Sequence, residues 1–173
     1  MSDLKSLIRD VPDFPKQGIL FRDITPLLAN GPAWRDLVDQ LAERYRNGID
    51  IVLGIESRGF IFASALAYAL GCGFALVRKS GKLPVATFEA SYELEYGTDT
   101  LEIHQDAFPR NSRVLLVDDL LATGGTAHAA IALAEKIQAN IIEAAFLIEL
   151  SFLGGRERLA PHKVFSVIQY DSE

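Results

Sequence analysis

RVLLVDDLLATGGT occupies residues 113–126. Val114, Leu115, Leu116 and Val117 follow one another without polar alternation, the pattern of a strand buried on both faces. Asp118 and Asp119 stand where that strand ends. Ala122, Thr123, Gly124, Gly125 and Thr126 then lead into a helical run at about 126–138. In open α/β sheets ligands bind outside the carboxyl ends of the strands. Small residues there let backbone N–H groups approach an oxyanion, and the following helix N-terminus favours negative charge. The segment reads as a phosphate cradle with an acidic pair beside it. Two carboxylates repel phosphate, so the ligand must also carry hydroxyls for them to accept, or a divalent cation. A plain strand, turn and helix with a solvated acidic tip is the blander reading, and the ordered combination of the three parts disfavours it. No Gly-Lys-Ser/Thr follows, so this is not a Walker loop, and G-x-G-x-x-G is missing too.

Working outward, 173 residues allow one domain with a sizeable core. The net charge of −6 argues against a nucleic-acid-binding surface. One cysteine, Cys72, excludes an intrachain disulfide and fits a reducing compartment. No apolar run approaches the ~20 residues that span a bilayer, and the opening MSDLKSLIRD lacks a signal-peptide core. A cytoplasmic, enzyme-like domain with no membrane or nucleic-acid partner is expected.

Leu4, Leu7, Ile8 and Val11 fall at helical spacing, which predicts a helix stopped by Pro12 and Pro15. Residues 12–28, PDFPKQGILFRDITPLL, combine chain breakers with apolar residues and are expected to be packed. Trp34, Leu37, Val38, Leu41, Ala42 and Tyr45 predict a helix with Pro32 in its first turn and Gly48 at its end. A short apolar strand is expected at 51–55 and further strands at 74–77, 141–150 and 164–170, with a buried helix over 60–70 ending at Gly71. Residues 86–96 alternate strictly, a half-exposed antiparallel strand, and Gly97-Thr98-Asp99 turns it back as a hairpin. Strands alternating with helices imply a parallel sheet with helices on its faces. The hairpin interrupts that scheme and is expected to project as a flap that excludes water.

Three strand ends can converge on one ligand. Glu56-Ser57-Arg58-Gly59 offers the planar fork of Arg58 and close backbone approach at Ser57. Alone, this tetrapeptide is as often an ordinary turn. Arg78-Lys79, with Lys82 nearby, adds positive charge, although such a run by itself is more often a solvated face. The acidic pair and its loop are the third. A ligand that carries phosphate groups and hydroxyls together needs such a set of basic, backbone and acidic groups.

The run DDLLATGGT resembles the 5-phosphoribosyl diphosphate (PRPP) motif of the type I phosphoribosyltransferases. The segments PDFPKQGILFRDITPLL, ESRGF, RKSGKLP, ASYELEYGTDTLEIH and VLLVDDLLATGGT also occur in the order seen in the adenine phosphoribosyltransferases. The resemblance implies an α/β fold: a mostly parallel five-stranded sheet flanked by helices, one domain over 1–173, with an N-terminal hood over about 1–30 and a β-hairpin flap over about 80–104. It implies transfer of ribose 5-phosphate from PRPP to adenine, giving AMP and pyrophosphate, with Mg²⁺ as cofactor, in a homodimer. The metal would be held mainly by PRPP and water near Asp118 and Asp119. Ala122, Thr123, Gly124, Gly125 and Thr126 would hold the 5-phosphate, and Asp118 and Asp119 the ribose hydroxyls. Arg58 and Ser57, helped by Arg78 and Lys79, would hold pyrophosphate. Leu20, Phe21 and Arg22 would form the base pocket, with Phe21 stacking on the purine. Phe21 also has a plainer reading as hood core, and Arg22 as the partner of Asp23. Glu95 and Tyr96 would arrive with the flap, Glu95 as the catalytic carboxylate. Relatives imply a cis or strained peptide near Glu56-Ser57, and Glu56 stands where many carry Asp. A phosphoribosyltransferase for another purine is the nearest alternative, and a PRPP-sensing regulator a more distant one. Breaking the bond to pyrophosphate leaves positive charge on the ribose, so charge stabilisation and exclusion of water matter more than a nucleophile. Neither Cys72 nor His104, His128 and His162 forms a nucleophile or metal constellation.

Overall fold

In the computed structural model, which describes residues 4–93 and 98–172, the run of 114–117 lies inside β7 (Arg113–Leu121). Each of those four side chains is at most 3% exposed. Five strands run parallel in the order β4 (Gly73–Lys79), β3 (Ile51–Ile55), β7, β8 (Asn140–Leu150), β9 (Val164–Tyr170). Strand pleat sends Leu115 and Val117 to one face and Val114 and Leu116 to the other. The first face is covered by α2 (Gly31–Arg44) and α3 (Gly59–Leu70), through Leu37, Leu41, Phe62 and Leu66. The second is covered by α4 (Gly125–Lys136), through Ala130, Ile131 and Leu133. A parallel sheet covered in this way presents the carboxyl ends of its strands along one edge of the molecule.

The hairpin, β5 (Thr87–Glu93) and β6 (Thr98–His104), does not stand free at its base. Strand β6 pairs antiparallel with β4 through Arg78↔Glu102 and Lys79↔Leu101, so the full sheet has seven strands. Leu101 and Ile103 are buried in the core, and the Lys136 ammonium donates to the Glu89 carbonyl at 2.6 Å. Apolar residues on the inner face of the hairpin dock it against α4. The expected flap therefore begins as an extension of the sheet.

Three local expectations are corrected. The N-terminal helix is only a 3₁₀ turn, Leu4–Leu7. The chain then extends as β1 (Arg9–Pro12), paired antiparallel with β2 (Leu20–Asp23). Non-local pairing supplies the backbone hydrogen bonds that local helical spacing would have supplied. Between these strands, residues 12–19 are exposed, so the segment is packed only from Leu20 onward. Helix α2 begins as expected, with Asn30 accepting from the Ala33 N–H at 3.2 Å. It ends at Arg44, short of Gly48, where Asn47 takes a left-handed conformation (φ +60°) that turns the chain away, and the Tyr45 hydroxyl donates to Glu143 at 2.6 Å. Helix α3 ends on Gly71 in the left-handed region, as read.

Candidate active site

The ends of β3, β4 and β7 converge as the sequence suggests. After β3 the Glu56–Ser57 peptide is cis, and Arg58 forms the N-cap of α3. The Arg58 Nε lies 2.8 Å from Asp119 Oδ2. The contact is an ion pair without hydrogen-bond alignment, so that buried oxygen retains its acceptor capacity. Asp118 Oδ1 accepts the Asp119 N–H at 2.9 Å. A Cβ on Gly59 would come within 2.7 Å of the same oxygen, so a glycine is needed for α3 to start this close to the pair. Burial, then the charge of Asp119, pushes the Asp118 carboxyl well up. Asp119 is pushed up by burial, against the pull of Arg58. Removal from water explains both directions, and the neighbouring charge of Asp119 adds to it at Asp118.

After β7 the loop 122–124 enters α4. Gly124 has φ +79° and is the N-cap, whereas Gly125 is already helical. A cavity of about 270 Å³ is bounded by Glu56, Ser57, Arg58, Tyr92 and residues 118–127. It thus gathers the acidic pair, the loop and the Ser57-Arg58 turn around one space. Arg78 and Lys79, expected at the site, do not line it and stand behind Glu56. Lys82 Nζ, the Lys79 N–H and Arg78 Nε contact Glu56 at 2.7, 3.0 and 3.3 Å. The Lys79 ammonium pairs with Asp99 on the hairpin at 3.0 Å. Both basic side chains are therefore held by carboxylates, which a charge run read alone does not reveal.

A second cavity of about 300 Å³ adjoins the first, sharing Arg58, Leu120 and Ala122 as walls. Leu20, Phe21 and Arg22 border it, as the base-pocket reading expected, together with Ile19, Leu150, Phe152 and Leu153. The Phe21 ring meets Phe14 edge-on at 5.1 Å and the Arg58 guanidinium at 4.9 Å. The Arg22 guanidinium points elsewhere. It pairs with Asp10 and lies 4.0 Å from the Tyr170 ring centroid, so its expected partner Asp23 pairs with Arg9 and accepts from Thr25 instead. Antiparallel register explains the exchange, since Asp10 stands opposite Arg22. Glu95 and Tyr96 lie outside the described residues. A larger groove of about 770 Å³ between α2 and α3 lies at the other end of α3 from Arg58, away from the strand ends.

Sequence reasoning missed Tyr92, Leu120, Phe152, Leu153 and Gly155. A Cβ on Gly155 would meet the Ala122 carbonyl at 2.2 Å, so this glycine floors the loop. The Gly154-Gly155 pair was the available signal. Tyr92 could have been read from its place on the inward face of β5.

The phosphoribosyl transferase domain family matches residues 24–171. The adenine phosphoribosyltransferase of Chloroflexus aurantiacus is 59% identical over 169 residues, covering 97% of this chain and 98% of that one. The chain belongs to the adenine phosphoribosyltransferase family. The Solibacter usitatus member is 58% identical over 99% of both chains. Among solved adenine phosphoribosyltransferases, that of Thermoanaerobacter pseudethanolicus superposes with TM-score 0.94 at 47% identity, covering 97% of this chain and 98% of that one. The Saccharomyces cerevisiae enzyme, solved with adenine and an imino-altritol bisphosphate, gives 0.90 at 46%, covering 95% and 96%. The seven-stranded sheet described above is thus the fold of an adenine phosphoribosyltransferase.

Proposed function

We propose that this chain transfers ribose 5-phosphate from PRPP to adenine, giving AMP and pyrophosphate. The observation that carries the assignment of roles is the pair of cavities sharing Arg58, Leu120 and Ala122. One has the backbone, hydroxyl and carboxylate groups for a sugar phosphate. The other is lined mainly by apolar and aromatic side chains, as a purine needs. Their common wall is where the ribose carbon and the base nitrogen meet.

Residues 122–126 hold the 5-phosphate through backbone N–H groups and the hydroxyls of Thr123 and Thr126. Asp118 and Asp119 accept the ribose hydroxyls, and the free acceptor capacity of Asp119 Oδ2 supports this. Arg58 and the Ser57 backbone hold pyrophosphate, with Arg78 and Lys79 beside them. Leu20, Phe21 and the main chain of Arg22 enclose and read the base. The bond from the ribose carbon to pyrophosphate breaks, the bond to the purine nitrogen forms, and that nitrogen loses its proton. Glu95 is the group that holds or passes the proton, with Tyr96 closing the site. In this reading the first ~30 residues act as a hood and 80–104 as a flap. Among the described residues no three His, Cys, Asp or Glu stand close enough to cage a metal ion. Magnesium would be carried by PRPP oxygens and water beside Asp118 and Asp119, whose acceptor oxygens suit a hydrated cation, and would supply neutralisation of the leaving diphosphate.

A homodimer is part of the proposal. Helix α3 has no charged residue, and Ile61 and Tyr68 are exposed on its outer side, which supports covering by a second copy. Among the described residues no helix is long and apolar enough to cross a membrane. A cytoplasmic location, supported by the single cysteine, is proposed with it.

Incubation with PRPP and Mg²⁺ and each purine separately tests the activity. Adenine is expected to exceed hypoxanthine and guanine by more than about a hundredfold in kcat/KM, because a site built for an amino group leaves buried polar groups unpaired without it. Comparable rates with hypoxanthine overturn it.

A further inference from the structure

The segment joining β8 to β9 touches both cavities. Its 3₁₀ turn, Ser151–Leu153, supplies Phe152 and Leu153 to the wall of the base cavity. Two residues later Gly155 opens α5 (Gly155–Arg158) and packs under the phosphate loop. A Cβ added to Gly124 would sit 2.7 Å from the Gly155 carbonyl oxygen. One added to Gly155 would sit 2.2 Å from the Ala122 carbonyl and 3.1 Å from the Gly124 nitrogen. There is no slack between floor and loop.

A short exposed segment does not hold such a position by itself. Arg156, next in sequence to Gly155, supplies the tether. Its Nε and Nη2 donate to the two Glu149 oxygens at 2.9 and 2.5 Å, and its Nη1 donates to the Val164 carbonyl at 2.7 Å. Glu149 is 3% exposed and also accepts from Ser166 at 2.5 Å and from Gln169 at 3.3 Å. The fork is thus pinned to the ends of two core strands at once. A buried carboxylate satisfied by a bidentate arginine and further donors is rigid, and removing one partner leaves it uncompensated.

We propose that Arg156, clamped by Glu149, is a positioning residue that sets the base wall and the phosphate loop relative to each other. It touches neither substrate. It fixes a segment that bears on both, so adenine and PRPP affinities are coupled through it. The inference rests on the assignment of the two cavities to those substrates.

Kinetics and melting of Arg156→Ala, Arg156→Lys and Phe152→Ala test the idea. Arg156→Ala is expected to raise KM for adenine and KM for PRPP together, each at least about fivefold. Arg156→Lys restores neither fully, because an ammonium cannot span both carboxylate oxygens and the Val164 carbonyl. Phe152→Ala raises KM for adenine alone. Should Arg156→Ala not fold, Glu149→Gln takes its place with the same paired rise expected, since it keeps acceptor contact with Ser166 while losing the charge. A purely structural role lowers the melting temperature and the active fraction while leaving both KM values in place; that result, or a change in only one of them, overturns the proposal. A wild-type protein with no adenine-dependent turnover would instead sink the functional assignment on which it rests.

Discussion

Arg58 bridges the two cavities: its Nε is 2.8 Å from Asp119 Oδ2, and its guanidinium carbon is 4.9 Å from the Phe21 ring centroid. Arg58→Ala is expected to lower kcat/KM for PRPP at least about a hundredfold, the scale seen when one transition-state donor is removed. It also leaves Asp119 buried without its cation, so the melting temperature should fall. Arg58→Lys should recover the melting temperature and little of the activity, because the fork is lost. Steady-state kinetics with thermal melts on both variants check this, and full activity in the lysine variant would contradict it.

Asp118 shows a trade between stability and function. Its carboxyl is pushed up by burial and by Asp119, so ionising it at neutral pH destabilises the fold. A group whose value is raised on folding contributes stability below its unfolded value and loses it as pH rises through the folded one. Asp118→Asn keeps an acceptor for the Asp119 N–H and removes the charge. The melting temperature of the variant should exceed the wild type's by about 2–4 °C, more so at high pH, while KM for PRPP rises at least about tenfold. A lower melting temperature would refute the account.

The two loop glycines should differ. Gly124 has the positive φ and faces Gly155, whereas Gly125 is in the first turn of α4. Gly124→Ala needs a left-handed alanine and a clash at 2.7 Å, so PRPP binding by calorimetry should be lost. Gly125→Ala should retain measurable binding.

Much of this was legible in the sequence, for identifiable reasons. Unbroken apolar runs at 51–55, 114–117 and 144–148 can satisfy burial on both faces only as central parallel strands, and β3, β7 and β8 carry those runs. Acidic pair and glycine loop follow each other in the chain, so their meeting needs no long-range information. What could not be read depends on register between distant segments. Asp10 opposite Arg22, Glu102 opposite Arg78 and Gly155 under Ala122 leave no local pattern. The helical spacing of 4–11 misled because strand pairing outweighed it.

Glu56 gives the site a pH signature. Burial alone would raise its carboxyl, but hydrogen bonds from Lys82, the Lys79 N–H and Arg78 overcome this and hold it at about 2, against an ordinary 4.5. A depressed carboxyl contributes stability that is present above its unfolded value and lost as pH falls through the folded one. The wild-type melting temperature should therefore drop between about pH 4.5 and 2, and Glu56→Gln should flatten that part of the curve while lowering the plateau above about pH 5. Parallel curves for the two proteins would show that Glu56 carries no such linkage.

Glu95 is the carboxylate proposed for catalysis. Along β5, Phe88, Ala90 and Tyr92 pack toward α4 and the core, and Glu89 is exposed on the other face. Continuing that alternation would put Glu95 on the side of Glu89 and Tyr96 on the side of Tyr92. Tyr92 borders the phosphate cavity, and its hydroxyl is 3.3 Å from Asp99, so the inward face does lead to the ligand. For Glu95 to reach the purine, the alternation must break after Glu93, and Gly97 is the residue that permits a turn there. A positioned acid or base contributes about 10²–10⁴-fold. Glu95→Gln should therefore lower kcat at least about tenfold, with little change in melting temperature, the outcome expected of a flap residue with little packing. Glu93→Gln should stay near wild type. If both glutamates merely solvate an exposed hairpin, the two variants will have equal, near-wild-type kcat, and the catalytic assignment of Glu95 falls.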